Sequence, residues 1–354
     1  MPSANKYLLK YDELGLKSRQ SQRRLFQQLF RNIERMGGWA YFKEGRLFAE
    51  GDKEKLARVF GITEVWDVIE SEKDLESIAS TITQHASPDK VYKLEVKRAD
   101  KSYPGTSIEI AQKLASLLHE RIKLGVKQYD ETIQVEIRHG RALILMNPLK
   151  GPGGLPYGSQ GKVLLMFSGG LDSPVAGWML ARRGAQIDYL FLSDKPHEDV
   201  LEVYRYLKEH WGMEGKLYFV DGREIVQQIF TVPKRYRMVV FKRMLYRVAE
   251  KVGKDIDALA LATGESLGQV STQTLGNLST ISEITSMLIL RPLIGFNKQE
   301  IIDKAREIGT YDLSSKVKER CNLAPDKVSI NAPLSKIKEL ESNLKLPPLN
   351  TIVI

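Results

Sequence analysis

Apolar residues follow two different rhythms along this chain, and the change between them divides it. From Lys162 onward they come in short unbroken runs, at 163–167, 186–192, 216–220, 256–262 and 287–291, with helically spaced segments between. Unbroken runs of this length predict strands buried on both faces. Their alternation with helices predicts a mostly parallel, doubly covered sheet, in which ligands bind at the carboxyl ends of the strands.

The earlier part is mixed. Tyr7–Tyr11 reads as a strand, and Gln20–Met36 has helical spacing through Leu25, Leu29 and Ile33 until Gly37 and Gly38 stop it. Trp39–Phe42 and Arg46–Ala49 flank a Glu44-Gly45 turn, Lys53–Phe60 is a short helix, and Val65–Ile69 is another strand. That order predicts a ferredoxin-like βαββαβ unit. A second unit follows, with helices at Leu75–His85 and Ser107–Leu124, a strand at Val91–Arg98, and a hairpin of Ile133–Arg138 with Arg141–Met146. Seven of the twelve residues from Asn147 to Gly158 are Gly or Pro, which places the main boundary there.

The chemistry concentrates after the first strand of the later part. Val163–Phe167 leads into Ser168-Gly169-Gly170-Leu171-Asp172-Ser173-Pro174 and then a helix. Adjacent glycines let the backbone approach an anion, and a helix start aims amides and a positive dipole end at the same point. Ser173 suits an N-cap and Pro174 the first helical position. No Lys follows the glycines, so this is not the kinase-type phosphate loop. Asp172 beside a triphosphate fits contact with Mg²⁺, and the alternative is a second capping acceptor. Ala262–Thr274 is a loop of small and polar groups after another strand, able to bring backbone against a base or phosphate.

Two basic runs stand out. Lys234–Arg247 holds six basic residues and no acidic one; on a helix, Lys242 and Arg243 would lie near the site edge, with Val239, Val240 and Leu245 facing the core. Val91–Pro104 interleaves Lys93, Lys97, Arg98 and Lys101 with aromatics such as Tyr103, a mixture suited to phosphates and unpaired bases. A solvated basic face or a charged edge strand is the competing account of each.

Composition narrows the classes. No apolar run is long enough to span a bilayer, and Met1–Lys6 lacks a signal-peptide core, so a cytoplasmic location is the default. The one cysteine, Cys321, excludes an internal disulfide framework and a multi-cysteine metal site. Its cationic neighbours Lys316, Lys318 and Arg320 favour a thiolate, against the usual buried apolar role. The five histidines lack metal-ligand spacing. A net charge of +9 favours polyanionic partners.

The loop Ser168–Ser173 resembles the PP-loop of ATP pyrophosphatases. Together with Thr263–Thr274, Arg291–Lys298, Ile308–Asp312 and Cys321 it resembles the tRNA 4-thiouridine synthetase family, and Val96–Ser107 resembles a THUMP RNA-binding signature. The resemblance implies an α/β fold: a Rossmann-like parallel sheet of the PP-loop adenine nucleotide hydrolase type, preceded by a ferredoxin-like α+β domain and a THUMP α/β domain. The implied division is 1–52 ferredoxin-like, 53–147 THUMP, 148–161 connection and 162–354 catalytic. The implied reaction is ATP-dependent adenylation of tRNA uridine 8, then replacement of its O4 by sulfur. The alternative is a THUMP-containing RNA-binding protein with a regulatory nucleotide site.

Residue by residue, the resemblance implies that Leu165, Met166, Leu190 and Phe191 line the ATP site. It puts Ser168, Gly169, Gly170, Asp172 and Ser173 on the phosphates, and Lys242, Gly264 and Gln273 on the nucleotide. Lys298 would neutralise phosphate charge, Asp172 would contact Mg²⁺, and Cys321 would take part in sulfur transfer. Lys93, Lys97, Arg98, Lys101, Tyr103, Arg235 and Arg237 are the candidate tRNA contacts. Many members carry a rhodanese domain with a second cysteine; the resemblance here is to the form without it. Sulfur would then come from an external donor (a cysteine desulfurase, a persulfide carrier or sulfide). The family's second role, in thiamine thiazole synthesis, depends on that domain, which leaves that role open for this chain. A homodimer could let one subunit's THUMP domain serve the other's catalytic site.

Overall fold

The computed structural model describes residues 6–318 and 329–354, so Cys321 lies outside the described residues. The chain forms two compact units that meet at Gly154 and Leu155. Among the described residues, no helix is long and apolar enough to cross a membrane.

In the first unit the strands are β1 (Lys6–Lys10), β2 (Trp39–Lys43), β3 (Arg46–Glu50), β4 (Glu64–Ser71), β5 (Val91–Arg98), β6 (Lys123–Leu124), β7 (Glu131–Arg138) and β8 (Arg141–Lys150). The helices are α1 (Arg19–Arg35), α2 (Lys53–Leu56), α3 (Leu75–His85) and α4 (Ser107–Leu118). All eight strands share one sheet, in the order β2-β3-β1-β4-β8-β7-β5-β6. The first four give the expected ferredoxin-like arrangement. Antiparallel pairing of β4 with β8, from Glu64↔Lys150 to Ser71↔Ala142, carries the sheet into the rest of the unit.

Alternation along β8 feeds two cores, because successive side chains leave a strand on opposite faces. Ala142, Ile144 and Met146 pack with Ile78, Ile82, Ile110 and Leu114 of α3 and α4. Leu143 and Leu145 join Leu8, Phe48 and Trp66 on the other face. There Lys6 lies 4.6 Å from the Phe48 ring centroid and Lys10 lies 4.1 Å from that of Trp66. Two sequence expectations change. The α4 helix ends at Leu118 rather than Leu124, because Lys123–Leu124 is captured as a parallel strand by Val91 and Tyr92. The helix expected at Lys53–Phe60 is a single turn ending at Leu56.

The second unit contains β9 (Lys162–Met166), β10 (Gln186–Ser193), β11 (Leu217–Asp221), β12 (Ala260–Ala262), β13 (Leu288–Leu290) and β14 (Thr351–Val353). Its helices are α5 (Asp172–Arg182), α6 (Glu198–Trp211), α7 (Arg223–Ile229), α8 (Arg237–Asp255), α9 (Leu275–Ser282), α10 (Lys298–Glu307), α11 (Tyr311–Ser314) and α12 (Leu334–Glu341). The strand order is β13-β12-β9-β10-β11-β14. The five expected strands are parallel, and β14, which the apolar pattern did not reveal, adds an antiparallel edge beside β11. Leu164, Met166 and Leu190 pack against Val239, Val240 and Met244 of α8.

Arg243 corrects the expectation for α8. It is fully buried rather than at a site edge. Its guanidinium donates to Glu341 at 2.9 and 2.7 Å, to Glu283 at 3.2 Å and to the Thr280 carbonyl. This joins α8, α9 and α12. Removing one partner of a buried ion pair leaves the other charge uncompensated, at a cost of about 3–5 kcal/mol. Glu341→Ala should therefore lower the unfolding free energy by about that amount in urea titrations, and a loss under about 1 kcal/mol would contradict this role.

Candidate nucleotide site

The second sheet reverses direction of growth at β9: β10 and β11 extend one way, then β12 and β13 return to its other side. Loops leaving neighbouring strand ends in opposite directions open a crevice, and the glycine loop lies there. Gly169 has φ of +73°, and a Cβ on it would come within 3.1 Å of Val200. The Ser168 amide donates to Ser173 Oγ at 3.2 Å, which folds the loop over the start of α5. Here the structure revises the sequence reading. The helix begins at Asp172, its N-cap is Leu171, and Leu171 makes no side-chain cap hydrogen bond. Ser173 thus braces the loop instead of capping the helix.

A cavity of about 200 Å³ opens beside this turn. Met166, Ser168, Asp172 and Ser173 form one side; Lys242, Leu245 and Tyr246 of α8 form another; Thr263, Gly264, Glu265 and Gln273 close it. The spacing of 242, 245 and 246 puts three side chains on one helix face. Gly264 makes the close approach possible, because a Cβ there would lie 2.8 Å from the Asp172 carbonyl carbon and 2.9 Å from the Ser173 nitrogen. Gln273 is buried, and its Oε1 has no hydrogen-bond partner. Leu165, Leu190 and Phe191 do not line the cavity. Leu165 and Leu190 are buried within the sheet, and Phe191 packs on His197 and Phe219 at centroid distances of 6.1 and 6.2 Å.

Two lysines reach the site from distant segments. Asn297 and Glu300 form a capping box that makes Lys298 the first residue of α10. Its Nζ lies 2.8 Å from Asp172 Oδ1, and Gln269 Nε2 donates to Asp172 Oδ2 at 2.9 Å. Lys242 Nζ donates to Glu265 Oε1 at 2.8 Å. Glu265 Oε2 accepts from Tyr246 Oη and from Arg291 Nε, each at 2.9 Å. Burial alone would push the Glu265 carboxyl up; Lys242 and Arg291 outweigh it and hold the pKa at about 2. Burial, and then the neighbouring carboxylate, push the Tyr246 phenol well above its ordinary range. Glu265, Tyr246, Arg291 and Gln269 carried no role in the sequence reading. The lone acid in a loop of small residues was the available signal, but its cations come from remote segments.

The candidate RNA residues are placed unevenly. Lys97 and Lys101 are exposed. Lys93 pairs with Glu95 at 2.8 Å and lies 5.5 Å from the Tyr129 ring centroid. Arg98 donates to the carbonyls of Tyr103 and Gly105 at 3.0 and 2.7 Å, and Tyr103 packs against the α3–α4 core. Arg237 donates to the carbonyls of Val232 and Phe230 at 2.9 and 2.8 Å, and Arg235 lies over the Tyr236 ring.

Strand, glycine loop and helix at the switch point of a parallel sheet, faced by two lysines, define a PP-loop type of α/β nucleotide-binding domain. Comparison with known proteins narrows this further. The family described as "Thiamine biosynthesis protein (ThiI)" matches residues 158–346, and the THUMP domain matches residues 70–147. A tRNA sulfurtransferase of Desulfurococcus amylolyticus is 36% identical over 94% of this chain and 73% of the relative. A probable tRNA sulfurtransferase of Staphylococcus aureus is 37% identical over 89% of this chain and 83% of the relative. A crystal structure of a 4-thiouridine synthetase–RNA complex with bound ATP superposes with a TM-score of 0.84, at 30% identity, covering 99% of this chain and 100% of that one. The chain belongs to the ThiI family of tRNA sulfurtransferases.

The Glu265 ion cluster sets a pH dependence. Its carboxyl titrates at about 2 when folded against an ordinary 4.5, so its stabilisation is complete above pH 4.5 and disappears as pH falls toward 2. The shift corresponds to about 3 kcal/mol. Urea titrations between pH 5 and 2 should show a shallower acid loss for Glu265→Gln than for the wild type; parallel curves would refute the assignment.

Proposed function

We propose a two-step reaction for this member of the tRNA sulfurtransferase family. The enzyme binds ATP and tRNA and transfers sulfur to the RNA. The observation that carries the reading is the cavity that gathers Ser168, Asp172 and Ser173 of the glycine loop with Lys242, Gly264 and Gln273 at the sheet switch point, with Lys298 on Asp172. In the first step the O4 of uridine 8 attacks the α-phosphorus of ATP. Pyrophosphate leaves, and C4 carries an adenylate. In the second step a sulfur nucleophile attacks C4 and AMP departs with the original oxygen. Sulfide gives the thiocarbonyl directly, whereas a Cys321 persulfide gives a C4–S–S–Cys321 disulfide that an external thiol cleaves to release thiouridine.

The residues act by position and charge. Loop amides and the α5 start face the phosphates, and Lys298 and Lys242 offset their negative charge. Gln273 Oε1, buried without a partner, supplies an acceptor within the cavity. Mg²⁺ fits here because the Asp172 carboxylate stands at the cavity beside the glycine loop, and Mg²⁺ binds through one or two carboxylates plus phosphates. Asp172 would hold it, and the ion would supply further charge neutralisation. A purely regulatory nucleotide site is disfavoured because the curated relatives are named as sulfurtransferases.

Residues 1–52 and 53–147 would form the RNA platform, with Lys97 and Lys101 as free phosphate contacts. Arg98 and Tyr103 would shape the loop that presents them, while Lys93, Arg235 and Arg237 would contribute at its margins. Cys321 would receive sulfane sulfur from an external persulfide (on a desulfurase or a persulfide carrier), whereas free sulfide would attack C4 directly without passing through Cys321. A homodimer would let one subunit's RNA platform serve the other's cavity. Cytoplasmic tRNA is the expected substrate pool.

The test combines ATP, tRNA and a sulfur source with measurement of pyrophosphate and thiouridine. Asp172→Ala should lower pyrophosphate release roughly 100-fold, the scale of one preorganised electrostatic group, with tRNA affinity retained. Wild-type release would remove Asp172 from the site. Cys321→Ser should still release pyrophosphate yet make little thiouridine from a desulfurase; full thiolation would exclude a persulfide on Cys321. Replacing Lys97 and Lys101 by Ala should reduce the magnitude of the slope of log K against log salt for tRNA binding by roughly 0.7–0.9 per lost contact. An unchanged slope would move the platform elsewhere.

A further inference from the structure

We propose that Glu265 is a positioning residue for the nucleotide, acting through Lys242; this rests on the reading of the cavity as an ATP site. Lys242 is a flexible side chain with three donors, and one of them is spent on Glu265 Oε1. The carboxylate cannot follow the lysine if it moves, because its other oxygen is held by Tyr246 and Arg291. Arg291 is itself fixed by Tyr246 Oη at 3.1 Å and Ser282 Oγ at 2.8 Å. The chain of contacts therefore runs from the cavity wall to the end of α9 without a free rotor. Two ammonium donors of Lys242 remain for a ligand, on a side chain that lines the cavity.

Charge balance supports the same role. Lys242 and Arg291 flank one carboxylate in a setting where Glu265 is buried. Without that carboxylate, two cations would face each other out of water and Lys242 would turn toward solvent. The contrast with Lys298 is direct. Its side chain is 47% exposed and its partner Asp172 is 25% exposed, against 18% and 7% for Lys242 and Glu265. Lys298 can leave its partner for an incoming phosphate, whereas Lys242 is preset. A preset donor lowers the ordering cost of binding, so losing it raises KM for ATP more than it lowers kcat.

The experiment measures ATP affinity by calorimetry and steady-state pyrophosphate release, in the full chain with tRNA. Glu265→Gln should raise KM for ATP about tenfold and change kcat by less than about twofold. Lys242→Met should raise it similarly, and the double variant should be no worse than Lys242→Met within about twofold, since both remove one device. Tyr246→Phe keeps the ring and the charge but removes one of the two donors that hold Glu265 Oε2, leaving Arg291, so it should raise KM by a smaller factor. Unshifted KM in Glu265→Gln, or multiplicative effects in the double variant, would overturn the proposal. If Glu265→Gln does not fold, Tyr246→Phe and Glu265→Asp decide, and unchanged KM in both overturns it. A wild-type enzyme that fails to bind ATP would instead sink the reading of the cavity.

Discussion

The contact on which the second unit depends is the one between Gly264 and the first turn of α5. The two segments are far apart in sequence, yet β12 and β9 are neighbours in the sheet, so their carboxyl ends emerge side by side. Gly264 alone lets the backbones come together, since any Cβ would intrude on Asp172 and Ser173. Everything else at the cavity follows from that closeness. Glu265 is carried to Lys242 and Tyr246, Gln269 is carried to Asp172, and the loop closes over the helix start.

Around this contact the site uses two lysine–carboxylate pairs of different character. An exposed pair is weak and screened, because water competes for both charges. A buried pair is strong once formed and costly to break. Lys298 with Asp172 belongs to the first kind, and Lys242 with Glu265 to the second. In the proposed reaction the same residue types would serve as a releasable counter-charge and as a fixed one. Burial decides between these roles, and it is set by the helix face of α8 and by the loop after β12.

The first unit solves a separate problem, that of offering cations without losing its own stability. Several of its charged groups are spent internally: Arg46 and Arg138 on Glu136, Arg141 on Glu44 and Glu70, Lys6 on Glu70, and Lys10 on Glu64. These pairs lie over an apolar cluster on the sheet face that carries Leu143 and Leu145. Lys97 and Lys101 stay exposed at the end of β5. A count of basic residues would not separate the two groups.

What the sequence determined by itself was whatever depends on local order. The short apolar runs gave five parallel strands, and the glycine loop gave the turn between β9 and α5. The motifs also pointed to the family, because they occur in matching order along the chain. Tertiary structure decided what depends on pairing between distant segments. Arg243 looks the same as Lys242 in a basic helix, yet a helix turns about 100° per residue, so one enters the core and the other the cavity. Arg98 and Arg237 read as free cations until nearby carbonyls are seen to take their donors. Glu265 acquires its role only when α8 and the segment after β13 bring two cations to it, and no local pattern encodes that meeting.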